Sequence, residues 1–315
     1  MELYSGVYQI QSLFEGRNLF QYLFVGDNTV LIDTGIAETP EKVIFPYMDH
    51  LKLPPGCLTL VVTTHPDVDH QGGNSAIKRV SPRTLLSCGE ADRELVEDPQ
   101  TLFDRRYNHL LKDHNVGLDP ELLPLAGQKQ RMDLAFSGGE TIGLSDGWSL
   151  EVLHVPGHSH GHLSLYDGKH KAVFMGDALH GHGCPKADGS MGIPVTYYYL
   201  DAYLSTLCYF EGLDIEILYS GHFPAMRGEE IRNFISESRQ TVELLDRVIL
   251  RELGRHPKGM TLQELIDAVA SAVGDWPKET WFLAMFPVKG HLDRLEHQGK
   301  IRPVAGARPG KWQRA

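Results

Sequence analysis

At 315 residues, 42% of them hydrophobic, and with a formal net charge of −11, the chain is long enough to bury a sizeable core and acidic enough to repel a phosphate backbone. No run reaches the roughly 18 apolar residues of a membrane span, and Met1-Glu2-Leu3-Tyr4-Ser5 lacks the basic-then-apolar order of an export signal, so a cytoplasmic setting is expected. Cys57, Cys88, Cys184 and Cys208 form no C-x-x-C pair and read as reduced structural thiols.

Val7 to Leu13, Leu19 to Val25 and Thr29 to Asp33 read as successive strands, separated by Gly16 and by Gly26-Asp27-Asn28. Asp33-Thr34-Gly35 then precedes a helix from about Pro40 to His50. The apolar run Leu58-Thr59-Leu60-Val61-Val62 is a buried strand, and it runs straight into Thr63-Thr64-His65-Pro66-Asp67-Val68-Asp69-His70-Gln71-Gly72-Gly73-Asn74. His65, Asp67, Asp69 and His70 therefore leave a strand end within six residues, on a turn where side chains converge instead of alternating across a sheet. Helix capping alone would also favour carboxylates here. Imidazoles and carboxylates in such a group are nevertheless the donors that zinc, iron or manganese take. Gly72-Gly73 and Asn74 are expected to set the turn and helix start.

Asp98 to Phe136 mixes Tyr107, His109, Leu110, Leu111 and Pro124 without a metal motif and reads as a helical insertion. Leu150 to Val155 is a strand ending in a Pro156-Gly157 turn, with His158 just past it; Ala172 to Met175 is a strand that delivers Asp177 through Gly176. Ile215 to Tyr219 delivers His222 in the same way. His154, His160 and His162 are read as packing or as supports for ligating groups, while His180, three residues past Asp177, reaches the site if its glycine-rich loop folds inward. Tyr197-Tyr198-Tyr199 start a helix to Phe210 that turns Leu200, Leu204 and Leu207 inward, and an amphipathic helix runs from Gly228 to Leu253. Arg255 to Gly259 opens a tail with helices at Thr261 to Val273 and Pro287 to Gln298, a strand at 299–304 and a return at 310–313.

Taken together, the His65-to-His70 turn, His158, Asp177 and His222 resemble the ligand motifs of the metallo-β-lactamase superfamily, whose first signature is H-x-H-x-D-H. The departure is Asp67, which stands where the family has its second histidine. The resemblance implies an α/β fold, an αββα sandwich with all the motifs along one edge and the 98–136 insertion as a lid. It places His65, Asp67 and His158 at one divalent ion, Asp69, His70 and His222 at a second, and Asp177 between them, with zinc the first expectation. It also implies hydrolysis of a compact ester, thioester or lactone by a hydroxide between the ions, since metal binding lowers the pKa of water from about 15.7 to about 7. Asp69 would orient that hydroxide and carry its proton to the leaving group. Tyr197, Tyr199 and His180 are the expected substrate contacts, because a tyrosine near the metals of this fold can polarise a carbonyl. Residues 1–253 would form the catalytic domain, and 254–315 resembles the winged-helix module of the glyoxalase II and lactamase-β-2-like branch.

Asp67 leaves alternatives open. Against two divalent ions, three aspartates and a hydroxide sum to zero charge, which suits a harder metal such as iron or manganese. A glutamate stands at this motif position in the flavodiiron proteins, which this chain resembles there, although no flavin-binding segment is evident. The other alternative is that Asp67 is too short to ligate, which would leave the first site weak or empty. Some members of the branch cut RNA, but the tail holds ten Lys and Arg against six Asp and Glu, net plus four, leaving minus fifteen elsewhere. That is no continuous basic track, so packing or dimerisation is the expected role of the tail and nucleic acid is not an expected partner.

Overall fold

The computed structural model describes residues 1–315. The first half lays down seven strands, β1 (Glu2–Tyr4), β2 (Val7–Phe14), β3 (Arg17–Val25), β4 (Thr29–Ile32), β5 (Leu58–Val62), β6 (Leu85–Gly89) and β7 (Leu134–Phe136), which lie side by side in chain order. The pairs from β1 to β4 are antiparallel, as close turns require, and those from β4 to β7 are parallel, with helical segments carrying the chain back between them. Residues 134–136, which the sequence assigns to the insertion, are thus the edge strand of this sheet. With three residues, none of them fully buried, β7 shows no alternation to read.

The second sheet takes β8 (Thr141–Ser145), β9 (Trp148–His154), β10 (Leu163–Asp167) and β11 (Ala172–Phe174). After a small hairpin of β12 (Cys184–Pro185) and β13 (Met191–Ile193), it is completed by β14 (Ile217–Tyr219) and β15 (Met226–Arg227), in the order β8-β9-β10-β11-β14-β15. β11 and β14 pair in parallel, so the segments that follow them, bearing Asp177 and His222, leave the sheet at the same end.

The period of two along each strand assigns the layers. Val30, Ile32, Leu60 and Val62 pack between the sheets against Leu163, Leu165, Phe174 and Tyr219. The intervening Leu31 and Val61 face Ile44, Met48 and Ile77 of the helices outside the first sheet. On the other side, Val173 and Leu218 face Leu207 and Phe210 of helix Leu200–Gly212 and Leu245 and Val248 of helix Glu229–Arg255. Helix, sheet, sheet, helix is the αββα order the sequence predicts.

In the tail, helix Leu262–Val273 opens on a capping box between Thr261 and Glu264, a 3₁₀ turn covers Lys278–Ala284, and helix Met285–His297 follows. β16 (Met260–Thr261), β17 (Ile301–Pro303) and β18 (Lys311–Arg314) form a sheet in the order β16-β18-β17. Leu265, Ile266, Leu292, Leu295 and Trp312 share one apolar cluster with Leu245 and Val248 of the long helix, so the tail is packed onto the outer face of the second sheet's helices. No helix is long and apolar enough to cross a membrane.

Candidate metal centre

The strand ends deliver the motif residues to one place. His65, Asp67 and His158 present donor atoms within 4.8 Å of one another, as do Asp69, His70 and His222, and a third such group joins His65 and His70 to Asp177. His222 Nε2 lies 3.2 Å from His70 Nε2, 3.2 Å from Asp177 Oδ2 and 3.5 Å from Asp69 Oδ2. Asp177 Oδ1 and His65 Nε2 are buried with no hydrogen-bond partner. Buried polar atoms are rarely left unpaired, and unpaired atoms that converge in this way are what a cation would satisfy. Gly221 keeps the cluster tight, because a Cβ there would come within 2.6 Å of His70 Cε1 and 2.8 Å of Asp177 Oδ1.

The outward nitrogens are held from behind. Nδ1 of His65 meets Thr64 Oγ1 at 2.9 Å, that of His70 meets Asp33 Oδ2 at 2.8 Å, that of His158 meets the Thr196 carbonyl at 3.1 Å and that of His222 meets the Asn18 carbonyl at 2.7 Å. Such partners fix the ring and turn Nε2 toward the centre. Asp33 is the one the sequence does not announce. It sits just past β4 at φ 60°, a left-handed conformation costing roughly 1–2 kcal/mol for a side-chain-bearing residue, and it also accepts from Thr64 N at 2.7 Å. Its place at a strand end before Thr34-Gly35 is the available signal. Asp33→Ala is expected to weaken divalent-cation affinity about 10–100-fold while the chain stays folded. Calorimetric titration of the variant checks this, and an unchanged affinity would remove Asp33 from the centre.

Charge follows the geometry. Burial pulls His70 down, but Asp177 and Asp33 outweigh it and raise the imidazole to about 9. Burial likewise opposes, and His222 and His70 overcome, the effect on Asp177, whose carboxyl lies well below the usual range. His65 is pushed well down, first by burial and then by His70 and His158.

Asp67 has a different environment. Arg106, from the helical turn Phe103–Tyr107 of the insertion, donates Nε to Asp67 Oδ1 at 2.5 Å and Nη2 to Oδ2 at 3.0 Å, and the Tyr107 hydroxyl donates to Oδ1 at 2.9 Å. Against the pull of burial, Arg106 and then His158 hold this carboxyl well below its ordinary value. Nothing in the insertion's local pattern marks Arg106 or Tyr107 as site residues, because their partner is some forty residues earlier.

Of the other predicted contacts, His180 stands behind His158, with ring centroids 5.1 Å apart and Nε2 3.0 Å from Thr196 Oγ1. Burial, then His158, lowers it to about 3. Tyr197 turns into the core, fully buried, with its hydroxyl 2.9 Å from His291 Nε2 and its ring stacked on Tyr203. Tyr199 stacks on His160 at 3.5 Å, outside the donor cluster. Among the neighbouring histidines, His162 accepts from Asp177 N at 3.1 Å and stacks on His65, whereas exposed His154 bonds only the His160 carbonyl. Gln71 and Asn74 are tied to nearby backbone and hydroxyls, and Gly72 has backbone oxygens where a Cβ would stand, so this stretch builds the turn as expected.

The donors open on a cleft of about 100 Å³. Asp67, Asp69, Asp177 and His222 form its floor; Tyr107, Leu118 and Leu122 of the insertion and Phe282, Leu283 and Phe286 of the tail wall it. The insertion thus covers the cleft as the sequence suggests, and the tail joins it. Arg17 lies on the same wall, 5% exposed, with its Nε unpaired and only a 3.6 Å approach to Glu15.

The fold and these donors define a class: a family model of the metallo-beta-lactamase superfamily matches residues 18–222, and the chain belongs to that superfamily. Its relatives include hydrolases. The acyl-coenzyme A thioesterase MBLAC2 of Homo sapiens is 27% identical over 256 residues, 74% of this chain and 85% of that protein. The cytoplasmic hydroxyacylglutathione hydrolase of Arabidopsis thaliana is 27% identical over 173 residues, 53% of this chain and only 51% of that protein. Among solved structures, a metallo-beta-lactamase family protein from Thermus thermophilus superposes with a TM-score of 0.77 at 20% identity, covering 99% of this chain and 100% of that one. A beta-lactamase domain protein from Burkholderia ambifaria gives 0.72 at 17%, covering 100% and 93%. The fold they share with this chain therefore includes the tail.

Proposed function

We propose that the chain is a metal-dependent hydrolase of small acyl thioesters or esters. The observation that carries this reading is the convergence of Asp69, Asp177 and His222 on the floor of a cleft walled by apolar side chains, with His70 in the same donor groups beneath them. Carboxylate and imidazole donors at this spacing suit a divalent cation, and zinc is the metal we assign. The case for iron or manganese rests on the extra negative charge of Asp67, which Arg106 offsets. A bound cation would supply Lewis-acid polarisation of the acyl carbonyl and activation of water.

The rest falls to the chain's own residues. Asp69 is placed to accept a proton from water and pass it to the departing thiolate or alkoxide, since its carboxylate faces both the cleft and His222. Phe282, Leu283 and Phe286 exclude water from the acyl side, and about 100 Å³ admits the reacting acyl end and leaves a bulky carrier outside the mouth. Arg17, a desolvated guanidinium without a full partner, is placed to receive an oxygen of the substrate. The names of the acyl-coenzyme A thioesterase and hydroxyacylglutathione hydrolase relatives support the substrate class. We read residues 254–315 as a winged-helix-like unit that packs and walls the cleft, and four free cysteines support a cytoplasmic setting.

The test is turnover of a panel of short-chain thioesters, esters and lactones before and after chelation, with zinc, manganese or iron(II) restored. Thioester cleavage lost on chelation and recovered best with zinc is the expected result. Activity that survives complete metal removal would overturn the reading.

A further inference from the structure

We propose that Arg106 occupies the first cation position, so that the centre binds one divalent ion instead of two; this rests on the reading of the cleft as a metal site. Three donors, His65, Asp67 and His158, are assembled there with the spacing a cation needs. A guanidinium is already among them. Arg106 Nη2 lies 3.0 Å from Asp67 Oδ2 and 3.1 Å from His158 Nε2, so a single N–H-bearing nitrogen faces the very two atoms that would bind an ion. Nε takes the other oxygen of Asp67, and Nη1 donates to the His158 carbonyl at 3.0 Å, which anchors the fork on both ligand residues.

The arginine is not a surface side chain that swings away. It is 5% exposed and lies over the Phe286 ring at 5.5 Å, and the neighbouring Tyr107 hydroxyl closes the pair by accepting from Val68 N and donating to Asp67. Removing it would leave the partly buried Asp67 carboxylate with only Tyr107 and His158 as partners, and an ion added beside it would meet a fixed positive charge at hydrogen-bond range. The substitution of aspartate for the family's histidine and the arginine belong together. Asp67 and Arg106 sum to zero charge, as a neutral imidazole does, so the guanidinium cancels the carboxylate and leaves the pair no net charge with which to attract a first ion.

At the second position no guanidinium bonds the donors: Arg17, on the cleft wall, makes its close carboxylate approach to Glu15 at 3.6 Å. Asp69, His70 and His222 face one another, and the unpartnered Nε2 of His65 groups with His70 and Asp177 on the same side. The single ion belongs there.

The deciding experiment loads the full-length protein with zinc, desalts it, and counts ions per chain, for wild type and for Arg106→Ala and Arg106→Met. One ion in the wild type and two in the variants is the expected result. To keep the test independent of how the variants fold, the wild type is also loaded with excess manganese and examined by electron paramagnetic resonance, where an isolated-ion spectrum is expected. Two zinc ions in the wild type, or an exchange-coupled manganese pair, would overturn the role of Arg106 while leaving the hydrolase reading intact. No bound ion in any form would overturn both. Variants that fold and still bind one ion would show that Arg106 is not what excludes the second.

Discussion

Asp177→Ala is expected to lose divalent-cation affinity by about a hundredfold or more and turnover with it, since even residues that only support ligands are worth 10–100-fold. Asp177 carries the unpaired Oδ1 and sets Oδ2 3.2 Å from His222, while its Oδ1 stands 3.7 Å from His70 Nε2. Without this carboxylate the two imidazole nitrogens, 3.2 Å apart, keep only Asp69 as an anionic neighbour at the centre. The fold has little stake in the side chain, because the backbone N–H of residue 177 keeps its bond to His162. Titration calorimetry and thioester turnover, read beside an unchanged far-ultraviolet spectrum, check the expectation. An affinity within twofold of wild type would take Asp177 out of the ligand set.

The largest effect on stability is expected from Phe174→Ala. Phe174 is fully buried between the sheets, 4.8 Å from the Tyr219 ring and 4.9 Å from those of Phe24 and Tyr22. Truncating a phenylalanine in such a setting costs about 3–5 kcal/mol, the lost transfer energy plus a cavity that a sheet sandwich cannot easily collapse. At roughly 2–4 °C per kcal/mol for a chain of this order of size, the midpoint of thermal unfolding should fall by about 6–20 °C. A fall of only a degree or two would mean that the two sheets close over the gap. β11 also presents Asp177, so a residual loss of cation affinity in the folded variant is expected.

What is legible in the sequence is what lies close together in the chain. Each donor follows an apolar strand by a few residues, so Leu58-to-Val62 marks His65 to His70 and Ala172-to-Met175 marks Asp177 without any knowledge of the partner strand. The alternation of Leu60, Val61 and Val62 between two packed faces yields the layered α/β architecture by the same local logic. What stays hidden depends on distant pairing. Arg106 and Tyr107 look like ordinary helical residues until the insertion folds over Asp67, and Asp33 looks like a turn former until His70 arrives 37 positions later. Tyr197 draws attention because three tyrosines follow one another near the loop, yet its ring fills a gap against Tyr203, and burial of an aromatic outweighs what its hydroxyl could do at the cleft. The tail's 3₁₀ turn at 278–284 has no periodicity to betray it, although it brings Phe282 and Leu283 to the cleft wall.

The parallel pairing of β11 with β14, and the meeting of both with the turn after β5, has a consequence for how the molecule comes into being. His70 and His222 are separated by 152 positions, yet their nitrogens stand 3.2 Å apart. Contacts of such sequence separation form only after long loops have been closed, at a cost in chain entropy that slows their appearance. The catalytic floor is therefore expected to be among the last features completed during folding, after each half has its own sheet. Regain of turnover during refolding should trail the recovery of β structure, which makes activity a clock for the closing of the two halves.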